Sequence, residues 1–91
     1  MKYVLKPTSR FQKDLKKLQK RNYNMDSLKE VLNLLANGEL LSPKHRDHVL
    51  SGVYAGMREC HIEPDWLLIY EIKDEDLILY LMRTGTHSDL F

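Results

Sequence analysis

Ninety-one residues set the size of one domain, small but able to fold alone. Hydrophobic residues make up 43% of the chain, an ordinary share for a soluble globular protein. The longest apolar runs, Trp66 to Tyr70 and Leu77 to Met82, are far too short to span a bilayer, so no membrane role is expected. The single cysteine, Cys60, excludes an internal disulfide framework and fits a reducing cytoplasm, and Met1 to Pro7 carries no apolar signal region. The formal charge of +1 conceals an asymmetry. Residues 1–48 hold eleven Lys or Arg against five Asp or Glu, and residues 49–91 hold three against eight. A basic first half can face phosphate, although on charge alone a lysine-rich helix surface is better explained by solubility.

In chain order, Lys2 to Lys6 reads as a short strand ended by Pro7. Thr8 or Ser9 can cap a helix in which Phe11, Leu15 and Leu18 recur at helical spacing among Lys13, Lys16, Lys17, Lys20 and Arg21. Asn22-Tyr23-Asn24 breaks it. Asn24, Asp26 or Ser27 starts a second helix, with Ser27 and Glu30 at capping-box spacing and Leu28, Val31, Leu32 and Leu35 as its buried stripe. Gly38 suits its stop. Leu40 to Gly52 reads as loop and contains the dense basic stretch Lys44-His45-Arg46-Asp47-His48. Three strands are expected after it: Val53 to Ile62, with a bend or bulge at Gly56, then Trp66 to Ile72 and Leu77 to Arg83, joined by Lys73-Asp74-Glu75-Asp76. The order β-α-α-β-β-β describes an α+β domain, a helical hairpin packed on an antiparallel sheet.

Reactive residues gather at the strand ends. His48, His61 and His87 come from three segments, and Asp65 follows Pro64 in a tight connection. Singly, each has a structural explanation, a surface imidazole or a turn aspartate. Together they make an acid/base set for chemistry near neutral pH. Arg58 and Arg83 lie near strand ends and can clamp phosphate, or pair with carboxylates such as Glu59 and Asp89. Gly85 allows a turn that aims His87 back at the sheet. Phe91 can be a core plug or a stacking platform for an unpaired base. His45-x-x-His48 with His61 is a zinc alternative of unspecific spacing, so neither metal nor cofactor is expected. Cys60 should face away from its neighbour His61 in an alternating strand, as a buried residue rather than a nucleophile. Histidines, a carboxylate and arginines fit RNA cleavage by internal transfer, in which the 2′-hydroxyl attacks the adjacent phosphate.

Glu59-Cys60-His61-Ile62-Glu63-Pro64-Asp65-Trp66, Arg83-Thr84-Gly85-Thr86-His87-Ser88-Asp89-Leu90-Phe91, Asp47-His48-Val49-Leu50-Ser51-Gly52 and Ser9-x-Phe11-x-Lys13-Asp14 together resemble the YafQ branch of the RelE/ParE toxin superfamily. The resemblance covers nearly the whole chain. It implies the toxin of a bacterial type II toxin–antitoxin system, an endoribonuclease that cuts mRNA on the ribosome and so inhibits translation. It places the family's catalytic positions on His48, His61, Asp65 and His87, with His48 and His87 in proton transfer. Arg83 and Phe91 fall on its RNA-contacting positions. Arg58, Lys44, Arg46 and the lysines Lys13, Lys16, Lys17 and Lys20 would join them against RNA phosphate. His45 is not a position the family carries over, and reads as an incidental loop residue or a further RNA contact. The resemblance further implies a DinJ-type ribbon-helix-helix antitoxin, two per two toxins, through which alone the toxin would meet DNA. A ParE-like toxin that inhibits gyrase without cutting RNA is the alternative, since the two share a fold.

Overall fold

The computed structural model describes residues 2–91. Strand β1 (Val4–Pro7) leads into helix α1 (Ser9–Lys20) and helix α2 (Met25–Ala36). The Thr8 hydroxyl accepts the Phe11 N–H at 3.1 Å, and the Asn24 side chain accepts the Asp26 N–H at 3.0 Å, so each helix begins on a capped turn. The Ser27–Glu30 spacing is not used as a cap. It falls inside α2, because Asn24 starts the helix three residues earlier than a Ser27 cap would. Strands β2 (His48–Val49), β3 (Arg58–Glu63), β4 (Trp66–Lys73) and β5 (Ile78–Gly85) follow, then the short helix α3 (His87–Leu90).

Among the described residues the five strands form one sheet in the order β1-β5-β4-β3-β2. β2 to β5 pair antiparallel, as expected, but β1 pairs parallel with β5, Val4 opposite Ile78. A parallel pair needs a long crossover, and here the helical hairpin and three strands lie between its members. The segment expected to be loop contributes β2, a two-residue strand. Residues Val53 to Met57 do not extend β3, because Gly52–Tyr54 forms a 3-10 turn and Gly56 adopts a positive φ of 88°.

The helices cover one face of the sheet. Phe11, Leu18, Leu28, Val31 and Leu35 meet Cys60, Ile62, Trp66, Leu68, Tyr70, Leu79 and Leu81 there. The other face carries a smaller apolar cluster, Leu67, Ile69 and Leu90, flanked by Leu50, Tyr54, Met57 and Met82. Trp66 to Tyr70 are therefore buried on alternating sides, which explains an uninterrupted apolar run in an antiparallel strand. Of the two faces, the one opposite the helices is left open to a ligand.

Candidate active site

β3 sends Cys60 and Ile62 into the helix-side core, so Glu59 and His61 take the open face. β2 sets His48 opposite Glu59 in the ladder. Pro64 and Asp65 make the two-residue turn between β3 and β4, and the chain reaches His87 through Gly85. Gly85 has φ 155°, and a Cβ there would lie 2.9 Å from the Asp89 Cβ, so glycine is what lets β5 turn this tightly into α3. Thr86 and Asp89 form a capping box on α3. Leu90 packs on Leu67 and Ile69, and this anchor fixes His87 and Phe91 over the open face.

Each imidazole on this face is held by Nδ1. His48 donates to the Arg46 carbonyl at 2.7 Å, His61 to the Pro64 carbonyl at 3.1 Å, and His87 to Asp65 Oδ1 at 3.1 Å. These oxygens only accept, so Nδ1 carries the hydrogen and Nε2 is the atom left to exchange a proton. Nε2 of His48 and Nε2 of His61 lie 3.6 and 3.8 Å from the same Glu59 Oε1. The His61 and His87 ring centroids are 5.8 Å apart. His87 also lies 6.5 Å from the Phe91 ring, which meets Tyr54 edge-on at 5.8 Å. Phe91 is thus a neighbour of His87 and remains 65% exposed, free to meet a base. The side-chain and backbone hydrogen bonds from His87 hold the Asp65 carboxyl below its ordinary value. Burial pushes the Cys60 thiol far up, so it stays protonated and takes no nucleophilic role.

His48, His61, Asp65 and His87 are therefore brought to one face. Two groups not singled out in the sequence join them. Glu59 is only 5% exposed and serves both His48 and His61. Its signal was present, since alternation in β3 puts residues 59 and 61 on one side. Tyr54 carried no signal, because only the 3-10 turn brings it to Phe91.

Of the two roles open to the arginines, pairing with carboxylates is the one found for both. Nε and Nη2 of Arg83 donate to Asp14 of α1 at 2.7 and 3.1 Å, and the Thr84 N–H donates to the same carboxylate. β1 ends opposite Leu81, and beyond that point α1 and its buried Asp14 line the free edge of β5. Arg58 donates to Asp47 at 3.2 and 3.4 Å, and the Tyr70 hydroxyl donates to Asp47 as well. Both guanidiniums pair with carboxylates from the basic half of the chain rather than with Glu59 or Asp89. The Arg58 pair fixes the residue just before His48. Asp89 instead receives Arg21, at 3.0 Å.

Lys13, Lys16, Lys17 and Lys20 are exposed on α1, which packs on the opposite face from the imidazoles. Lys44 and Arg46 are exposed on the loop before His48. His45 is buried and bonded to the His61 backbone, so it is neither an exposed RNA contact nor part of a zinc set with His48. The group that offers metal-ligand geometry is a different one: Glu59, His61 and His87 each present one donor atom, all within 4.8 Å of one another.

A helical hairpin on one face of a small sheet, with paired imidazoles and carboxylates on the other, defines the class: a toxin of the RelE/ParE fold. The family model for the bacterial YafQ toxin of type II toxin–antitoxin systems matches residues 3–91, and the chain belongs to that family. The mRNA interferase toxin YafQ of Escherichia coli (strain K12) is 44% identical over 85 residues, covering 92% of this chain and 90% of that one. A crystal structure of a metal-bound toxin from Helicobacter pylori superimposes with a TM-score of 0.92 at 42% identity, covering 98% of this chain and 99% of that one. The toxin chain in a crystal structure of the Escherichia coli DinJ–YafQ toxin–antitoxin complex does so with a TM-score of 0.88 at 39% identity, covering 100% and 99%.

Proposed function

We propose that this chain is an mRNA interferase, an endoribonuclease that cuts mRNA on the ribosome and is held in check by a DinJ-type antitoxin. The observation that carries the reading is the convergence of three Nδ1-anchored imidazoles and two carboxylates on one face, with His61 and His87 at 5.8 Å. That spacing leaves room for one phosphate between two proton carriers. The group His48, His61 and Glu59 takes the proton from the 2′-hydroxyl as its oxygen attacks phosphorus. His87, oriented by Asp65, gives a proton to the 5′-oxygen as the P–O bond breaks. The products are a 2′,3′-cyclic phosphate and a free 5′-hydroxyl. Glu59 and Asp65 lie where they stabilise the charge an imidazole gains on protonation. Phe91, beside His87, offers a face for an adjacent base. Lys44 and Arg46, and the lysines of α1, would meet phosphate of mRNA or ribosomal RNA. Arg83 and Arg58 contribute by holding the frame.

This chemistry needs a 2′-hydroxyl but no metal. An ion on Glu59, His61 and His87 would occupy the very atoms that move protons. Gyrase inhibition, the alternative, makes no use of the cluster, and the Escherichia coli relative is named for its action on mRNA. With the antitoxin, two copies of each chain are expected to assemble through antitoxin dimerisation.

The test uses purified ribosomes loaded with a short mRNA. Cleavage ending in a 2′,3′-cyclic phosphate is expected, and none when the nucleotide 5′ of the cut carries a 2′-deoxy sugar. Cleavage of the deoxy substrate would overturn the mechanism. No cleavage of either, with inhibition of gyrase, would restore the alternative.

A further inference from the structure

His45 has no place in the reaction above, yet it is the one buried histidine among the described residues. Its Nδ1 donates to the backbone carbonyl of His61 at 2.6 Å. A carbonyl only accepts, so the proton sits on Nδ1. The place of this bond in the sheet is informative. β2 is two residues long and stops at His48, opposite Glu59. Continued in that register, the chain would bring Arg46 opposite His61. Instead Arg46 takes a left-handed φ of 47°, and the chain leaves the sheet for the 3-10 turn Pro43–His45. The edge of β3 at His61 has therefore lost its neighbouring strand, and the His45 imidazole supplies the donor a strand would have given.

That edge is also where β3 is irregular. Its register against β4 shifts between His61 and Glu63. A bulge interrupts the ladder and re-aims the adjacent side chain, so sheet pairing alone does not set the direction of the His61 ring. His61 Nε2 stands 3.8 Å from Glu59, beyond hydrogen-bond length, so that contact does not itself fix the ring. The same loop governs the second imidazole, since the Arg46 carbonyl accepts His48 Nδ1 at 2.7 Å.

We propose that His45 is a positioning residue: its Nδ1–H replaces the missing strand at the β3 bulge and holds the His61 ring against Glu59 and facing His87. The loop Pro43–His48 thereby aims both imidazoles that share Glu59, one through a side chain and one through a carbonyl. The proposal rests on the RNA-cleaving reading for its kinetic consequence, though not for its geometry.

The experiment compares wild type with His45→Asn, His45→Gln and His45→Leu. Asparagine places an amide N–H near the position of Nδ1, glutamine places it near Nε2, and leucine has none. Single-turnover cleavage of mRNA on ribosomes gives a maximal rate and a half-saturating concentration for each. His45→Asn is expected to cleave within about threefold of wild type. His45→Gln and His45→Leu should lose about ten- to a hundredfold in maximal rate with half-saturation unchanged, the cost of misplacing a reacting group by about an ångström. The imidazole NMR signals of His61 should match wild type in the asparagine variant and move in the other two. Equal rates and unmoved His61 signals in asparagine and glutamine variants would overturn the proposal, and that pair decides even if leucine unfolds the chain. If wild type fails to cleave, the enzymatic reading fails by itself, and the His61 signals still judge the role of His45.

Discussion

Two regions of the molecule treat their carboxylates differently. Where α1 and the loop before β2 meet the sheet, the chain pairs carboxylates with guanidiniums: Asp14 with Arg83, and Asp47 with Arg58 and the Tyr70 hydroxyl. An arginine does not release its proton in this range, so those pairs are permanent fixtures. On the open face Glu59 and Asp65 meet imidazoles, side chains that can pass a proton on. The same side-chain class thus builds frame in one region and chemistry in the other. What separates the two is the partner's capacity for proton transfer. Changes on the open face should therefore cost activity at constant stability, and changes to the frame should cost stability first.

The largest effect is expected from His87→Ala. Loss of one proton-transfer group lowers a rate by about 10²–10⁴-fold. The ring is exposed, so the melting temperature should stay near wild type, and growth arrest on expression should vanish. Equal toxicity from a stably folded variant would break the assignment. Asp14→Ala should act in the opposite sense. Removing one member of a buried, hydrogen-bonded pair takes the shared carboxylate from Arg83 and the Thr84 N–H, at a cost of about 3 kcal/mol in chemical denaturation. Activity of the fraction that remains folded should fall far less than in His87→Ala.

Glu59→Gln is nearly isosteric and keeps an oxygen near both imidazoles while removing the charge. A drop in cleavage of roughly ten- to a hundredfold with little change in melting tests whether the charge, rather than the packing, matters. A variant as active as wild type would reduce Glu59 to a spacer. Zinc or copper added in slight excess should slow cleavage in wild type, by binding Glu59, His61 and His87, and EDTA should restore it. Stimulation by metal would contradict the proton-transfer scheme.

The smallest effect concerns the tie between α1 and α3. Arg21, hydrogen-bonded to Asp89, holds that carboxyl down at about 2, below an unfolded value of ~3.9. A lowered carboxyl stabilises the fold above the unfolded value, and the gain fades as pH falls through ~4 toward 2. The side chains are 45% and 31% exposed, so the gain is held under about 1 kcal/mol by solvent screening. Thermal melts of Arg21→Ala should sit slightly below wild type at neutral pH and converge with it near pH 2.

Much of the architecture was legible because it depends on local rules. The stripes Phe11–Leu18 and Leu28–Leu35, the breaks at Asn22 and Gly38 and the apolar runs of β4 and β5 declare the hairpin and the central strands directly. β1 was legible as a strand but not as the parallel partner of β5, since nothing near residues 4–7 refers to residues 78–81. β2 was hidden because two residues show no period. At the site, the histidines and Asp65 stood out by residue type. The bonds of Arg83 and Arg58 did not, because their partners lie 69 and 11 positions away, across a helix–sheet contact and a loop.

By itself the sequence determined which residues could do chemistry, which face of β3 they share, and the family to which the chain belongs. It reached that far because side-chain type, strand alternation and glycine at a positive φ are local properties. The tertiary structure decided which of those residues meet. It placed Glu59 between two imidazoles, drew Asp14 and Asp47 onto the arginines, and turned His45 inward to serve an edge where a strand is missing. Pairing of that kind is set by the path of the chain through space, which neighbouring residues do not encode.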